Sequence, residues 1–209
     1  PNKPLDPEIV GITGITDEML KNQRIDDDEV DRIISDAAVV IAHNARFDRP
    51  FVEQRWASFE QKAWACSLTQ IPWGSLGFES AKLEYLAYRL GFFFHGHRAE
   101  TDCRAGLEIL SRTLQPKGEF ALKVLLDEAR RKSYRVWAVG APFEAKDTLK
   151  ARGYRWNNGE NGKPRAWHKD VSEDLYEEEA RYLSDSILQG NLDPIVDTIS
   201  AFNRFSERG

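Results

Sequence analysis

"VVIAHNARFDRPFVEQR", residues 39–55, sets a short apolar run against a polar segment and then a helical pattern. The run Val39–Ala42 is brief and rich in β-branched residues, which predicts a fully buried strand. "HNARFD" follows as a loop, and Val52, Trp56 and Phe59 mark the next helix. The same alternation extends in both directions. Val30, Ile33, Ile34 and Ala37 recur at helical spacing before the run, and "AWACSL" (63–68) reads as a second strand after it. Leu83, Leu86, Ala87 and Leu90 form another helical stripe, closed by Gly91, and a further helix starts near Ala99. Strands alternating with helices predict an α/β layer architecture.

The pattern changes from Ser133. "YRVWAV" reads as a strand, "EAKDTLKARG" as a helix ended by its glycine, and "YRW" and "RAWHK" as the arms of a hairpin around "NNGENGKP". Ser172 is placed to cap a last helix, with Glu173 and Asp174 in its first turn and Tyr176, Ala180, Leu183 and Ile187 as its stripe. Ile195, Ile199 and Phe202 again have helical spacing. These features predict an α/β unit over 1–130, a small basic α+β domain over 133–190 and a tail over 191–209.

Composition narrows the class. With 41% hydrophobic and 30% charged residues among 209, the chain is neither disordered nor membrane-embedded in character. No signal-peptide pattern opens it, and Cys66 and Cys103 have no metal-ligand spacing. A cytoplasmic setting is the expectation. The net charge of −5 is unevenly spread. Residues 130–169 carry 11 Lys and Arg against 3 Asp and Glu, whereas residues 170–209 carry 3 against 10. Tyr134, Trp137, Phe143, Tyr154, Trp156 and Trp167 are interleaved with that basic block. The mixture suits a nucleic-acid surface, or equally a small domain whose aromatics are its core.

A second stretch, "HGHRAETDCRAG" (95–106), places a carboxylate on an apolar helical stripe. Asp102 lies three and four residues before Ala105 and Gly106, on the side away from Glu100, Arg104 and Glu108. A carboxylate turned inward requires a cation or a metal to offset its desolvation. His97 falls outside the helix, on the loop entering it. Asp48 lies just past the end of a strand, where sites in α/β sheets collect. Two acids and an imidazole suit hard divalent cations with a base beside them. Taken singly, Asp48 reads as a helix N-cap, His97 as a surface histidine and Asp102 as the partner of an arginine.

"EIVGITGITDEML" (8–20), "VVIAHNARFDRPFVEQR" (39–55) and "LEYLAYRLGFFFHGHRAETDCRAGLEIL" (83–110) together resemble the DnaQ-like 3′–5′ exonucleases of the histidine-bearing DEDD group. The resemblance spans roughly residues 4–115. It implies an RNase H-like α/β fold, with Asp48 and Asp102 binding metal and His97 as general base. It also implies two divalent cations, Mg²⁺ or Mn²⁺, and hydrolysis of phosphodiester bonds at nucleic-acid 3′ ends. Cys103 stands where the family usually has alanine.

One motif departs. The family's first Asp-x-Glu sits on an apolar strand ahead of the "ITGIT" segment, and here neither Asp6-Pro-Glu8 nor Asp27-Asp-Glu29 follows such a strand. The expectation is a fold lacking its first strands, supplied by an upstream segment or another chain, a homodimer included. The alternative is a catalytically silent nucleic-acid-binding protein on the same fold. "PFEAKDTLKARGYRW" with "AWHKDV" resembles a small domain of plasmid primases and related DNA-processing proteins. The expected partner is nucleic acid, DNA before RNA, met by His43, Asn44, Phe47, Lys146, Lys150, Arg152 and Arg155. No membrane is involved.

Overall fold

The computed structural model describes residues 3–160, 162–190 and 194–207, and it divides the chain into two units, Pro1–Glu128 and Ala129–Gly209. The first begins with three helices, α1 (Pro7–Thr13), α2 (Asp17–Leu20) and α3 (Asp27–Asp36). Each starts where a side-chain oxygen takes an orphan backbone N–H: Asp6 accepts from Glu8, Thr16 from Met19 and Asp26 from Glu29. Both Asp-x-Glu strings thus open helices. Asp27 also accepts from the side chains of Arg55 and Trp56.

Strand β1 (Val39–Ala42), helix α4 (Ala45–Arg55) and strand β2 (Ala63–Cys66) form a parallel crossover in which Val39 faces Ala63 and Ala42 faces Cys66. The expectation of a fully buried β1 is corrected, because all four of its residues are half-buried. Trp64, Ala65 and Cys66 of β2 are buried. Among the described residues β1 has one strand neighbour, so its second edge carries no ladder. Helix α5 (Leu83–Arg89) stops at Gly91, φ +88°, where the Phe92 N–H returns to the Ala87 carbonyl. Helix α6 (Ala99–Ser111) packs against α5. A short hairpin, β3 (Thr113–Leu114) with β4 (Glu119–Phe120), leads into α7 (Ala121–Arg130). The apolar stripes meet in a core that includes Trp64, Leu86, Ile109 and Leu125.

The second unit is an antiparallel sheet, in the order β6 (Arg155–Trp156), β7 (Trp167–Ser172), β5 (Ser133–Ala138) and β8 (Ile195–Ile199). Helices α8 (Lys146–Ala151) and α9 (Tyr176–Tyr182) complete it. Val136, Ala138 and Val171 of the sheet are buried with Leu149, Tyr154, Leu183 and Ile187.

Two expectations change here. Residues 195–199 are not a helical tail but a strand, with Val196 facing Val136. A four-residue spacing such as Ile195–Ile199 is shared by a helix stripe and by alternate strand positions, and the β-branched run favours the strand. Residues 191–193 of the expected tail lie outside the described residues. Ser172 stands at the expected N-cap position but makes no side-chain cap bond; its hydroxyl donates to the Asp174 carboxylate, holding that acid below its usual range. No helix among the described residues is long and apolar enough to cross a membrane.

Candidate active site

The turn from β1 into α4 is two residues long, His43 and Asn44, with Asn44 at φ +95°. Asparagine tolerates this left-handed conformation better than other residues with a Cβ, so the chain reverses at once. The predicted loop "HNARFD" is therefore mostly helix, and Asp48 sits in the first turn of α4. It is not the N-cap, which is Asn44. Asp48 is half-buried, and burial pushes its carboxyl above the usual carboxylate range, opposed by its own backbone N–H and by His43.

His43 has both ring nitrogens engaged. Nε2 lies 2.8 Å from the Ala81 carbonyl oxygen, which can only accept, so this nitrogen carries the proton. Nδ1 then accepts from the Ser67 hydroxyl at 2.9 Å. Burial lowers the imidazole pKa, against the Ala81 bond and the charges of Glu84 and Asp48. His43 thus ties the end of β1 to the segments after β2 and before α5. His43, expected among the nucleic-acid contacts, has both ring nitrogens engaged within the protein.

The segment between α5 and α6 brings the remaining groups together. His97 precedes α6, exposed and at φ +67°. Asp102 lies half-buried in the first turn of α6, with Ala105 and Ile109 buried below it. Glu84 occupies the first turn of α5. Both acids border Gly96: a Cβ there would lie 3.0 Å from Glu84 Oε1 and 3.5 Å from Asp102 Oδ1. The missing side chain lets both carboxylates approach the backbone at this point. The charges of Asp48 and Glu84 both act on the His43 ring, raising its pKa against the effect of burial.

All these acids offer oxygen, the donor chemistry of a hard divalent cation. Their number is short of a closed site, because among the described residues no three His, Cys, Asp or Glu side chains converge to hold a metal ion. Glu84 and Gly96 were not singled out by sequence reasoning. The available signals were an acid opening an otherwise apolar helix and a glycine between two histidines.

The expected nucleic-acid residues fall on both units. Asn44 is exposed, and Phe47 and Phe51, 61% and 62% exposed, pair on α4 with ring centroids 5.0 Å apart. In the second unit Lys146 and Lys150 are exposed on α8. Arg152 is instead committed to Glu179, at 2.8 Å, and to the Tyr182 ring, at 3.8 Å. Arg155 faces His168 across the sheet, on the side away from the helices, so it does not extend the strip on α8.

The family described as exonuclease (RNase_T) matches residues 1–110, a span that contains Asp48, Glu84, Gly96, His97 and Asp102. The DNA polymerase III subunit epsilon of Treponema pallidum (strain Nichols) is 28% identical over 124 residues, covering 53% of this chain and 56% of the relative. The chain thus spans about half the length of that curated relative. No solved structure matches.

Proposed function

The chain belongs to the exonuclease family, of DnaQ-like type, and from that premise we propose that it is a metal-dependent 3′–5′ exonuclease removing nucleotides from a nucleic-acid 3′ end. The observation that carries this reading is the close approach at Gly96, the residue before His97, where the first turns of α5 and α6 bring the Glu84 and Asp102 carboxylates within 3.0 and 3.5 Å of the position a Cβ would take. DNA is the proposed substrate, in keeping with the name of the similar polymerase subunit.

In this reading Asp48 and Asp102 would hold Mg²⁺ or Mn²⁺, a pair of cations in all. When bound, such cations activate the attacking water and offset charge on the leaving 3′ oxygen. His97 accepts the water's proton at a ring nitrogen, from its place just ahead of α6 and next to Gly96. Asn44 and the exposed Phe47 border the approach to Asp48. Lys146 and Lys150 supply phosphate contacts from the second unit, and Arg155 a separate one from the opposite sheet face. The fold completes itself in the RNase H-like manner when a strand bearing Asp-x-Glu pairs with the open edge of β1, from an upstream segment or a second chain.

The test is a 5′-labelled oligodeoxynucleotide incubated with the protein and Mg²⁺ or Mn²⁺. A ladder shortening from the 3′ end is expected, and Asp102→Asn should abolish it. Should the chain cleave nothing, either alone or with the strand-bearing segment supplied in cis, the enzyme reading fails and the silent binding protein takes its place.

A further inference from the structure

The second unit contains six aromatic residues within its basic block, and the fold divides them. Tyr134, Trp137, Tyr154 and Trp167 are buried or packed against the core. Phe143 and Trp156 are 81% and 50% exposed. A domain with so few core residues gains stability by burying aromatics, so two left in water call for another occupant.

They lie at one end of the sheet. Trp156 faces Trp167 in the register of β6 and β7, with ring centroids 5.7 Å apart and edges meeting. Trp167 in turn faces Ala138, the last residue of β5 and part of the core on the helix side. Arg165 is exposed in the bend that leads into β7, two residues before Trp167. The hairpin there is pinned by Asn157, which donates from its backbone to Ala166 and from its side chain to Pro164. The chain leaves β5 at that same end and reaches Phe143 five residues later. It then returns through α8, whose first residue, Lys146, holds its ammonium 5.9 Å from the Phe143 ring. Lys150 follows one turn on.

We propose that this end of the second sheet binds an unpaired strand of nucleic acid, with bases stacked on Trp156 and Phe143 and phosphates on Lys146, Lys150 and Arg165. Charge selects the ligand: the block from 130 to 169 is net +8 in a chain that is net −5. Exposed ring faces select its form. Bases in a duplex have no free π-face, whereas a single strand offers one per nucleotide. The proposal deepens the exonuclease reading by naming a single-stranded substrate, and it rests on that reading only for the link to cleavage.

The test is fluorescence anisotropy in EDTA with labelled oligothymidylate of about 16 nucleotides, the upper site size of a single-strand-binding fold. A duplex of equal length is the control. Trp156→Ala and Phe143→Ala should each weaken single-strand binding by roughly 5- to 150-fold, the loss of one base stack. Duplex affinity should not change, and Trp156→Phe should restore most of the loss. Lys146→Gln and Lys150→Gln should each reduce the salt slope of log K by roughly 0.7. Unchanged single-strand affinity in folded Trp156→Ala and Phe143→Ala overturns the proposal, as does tighter binding of duplex by the wild type. If Trp156→Ala fails to fold, Phe143→Ala decides. Asp102→Asn should bind oligothymidylate like the wild type. Stacking losses without cleavage by the wild type, even with the strand-bearing segment supplied in cis, would sink the enzyme reading alone, and cleavage without stacking losses would sink this surface alone.

Discussion

Glu84 and Asp102 both close on the Cβ that Gly96 lacks, 3.0 Å and 3.5 Å from where that atom would stand. The glycine's φ is not left-handed, so space and not backbone freedom is what the position requires. Gly96→Ala should leave the fold intact while the Glu84 carboxylate swings aside. Misplacement of a site group by about 1 Å can cost on the order of 10²-fold in rate. Single-turnover cleavage with unchanged thermal unfolding is the expected pair of results; an unaltered rate would remove Gly96 from the site.

His97 is held at φ +67°, a conformation that costs a residue with a Cβ about 1 kcal/mol. His97→Gly should therefore keep or slightly raise stability while cleavage falls by ~10²–10⁴-fold. His97→Ala should lose the same activity without the stability gain. Denaturant midpoints and rates on both variants separate the base from the backbone.

Asp48 has its carboxyl raised by burial, so between the ordinary carboxylate value and the raised one the native state binds more protons than the unfolded chain. Stability from this group is thus present at low pH and lost as pH rises through the raised value. At neutral pH the charge is a net cost in the metal-free protein. Asp48→Asn should raise the unfolding temperature in EDTA, by no more than ~2–4 °C because the group is half-exposed. Mg²⁺ should stabilise the wild type more than the variant; the reverse would separate Asp48 from the cation.

Glu179, 5% exposed, accepts from Arg152, Tyr154 and Lys169 at 2.8, 2.9 and 2.9 Å. Burial alone would raise its pKa, but the three donors hold it below the usual range. Glu179→Gln removes the charge that two cations share. A loss of about 3 kcal/mol in the second unit is expected, the low end for a broken buried pair because Arg152 and Lys169 still reach water. Urea unfolding followed by tryptophan fluorescence measures it.

His168 is lowered by burial and by Arg135 and Arg155, against Asp170, and its Nδ1 is buried without a hydrogen-bond partner among the described residues. Its unfolded form binds more protons below the ordinary imidazole value. The stability it supports is therefore present above about pH 6.5 and declines as pH falls through the lowered native value. His168→Leu should flatten that acid limb in a urea midpoint–pH profile; an unchanged limb would assign the acid sensitivity to other groups.

Local periodicity was enough to place β1, α4 and β2 in order, to set His97 off α6 and to turn Asp102 inward. Each depends on one-sided burial along a single element, which repeats every two or 3.6 residues in the chain itself. The brace made by His43 spans 38 residues to Ala81, and the ion pair of Arg152 spans 27 to Glu179. Neither distance leaves a periodic trace. The same holds for Glu84, an exposed helix-opening acid that the loop through Gly96 brings to the same point as Asp102. Arg155 looked continuous with Lys150 along the chain, yet strand alternation set it on the other face. Residues 195–199 were ambiguous because their spacing fits both periods, and only the register with β5 resolved it. The chemistry of each residue was legible from its type; its partner depended on packing between segments distant in the chain.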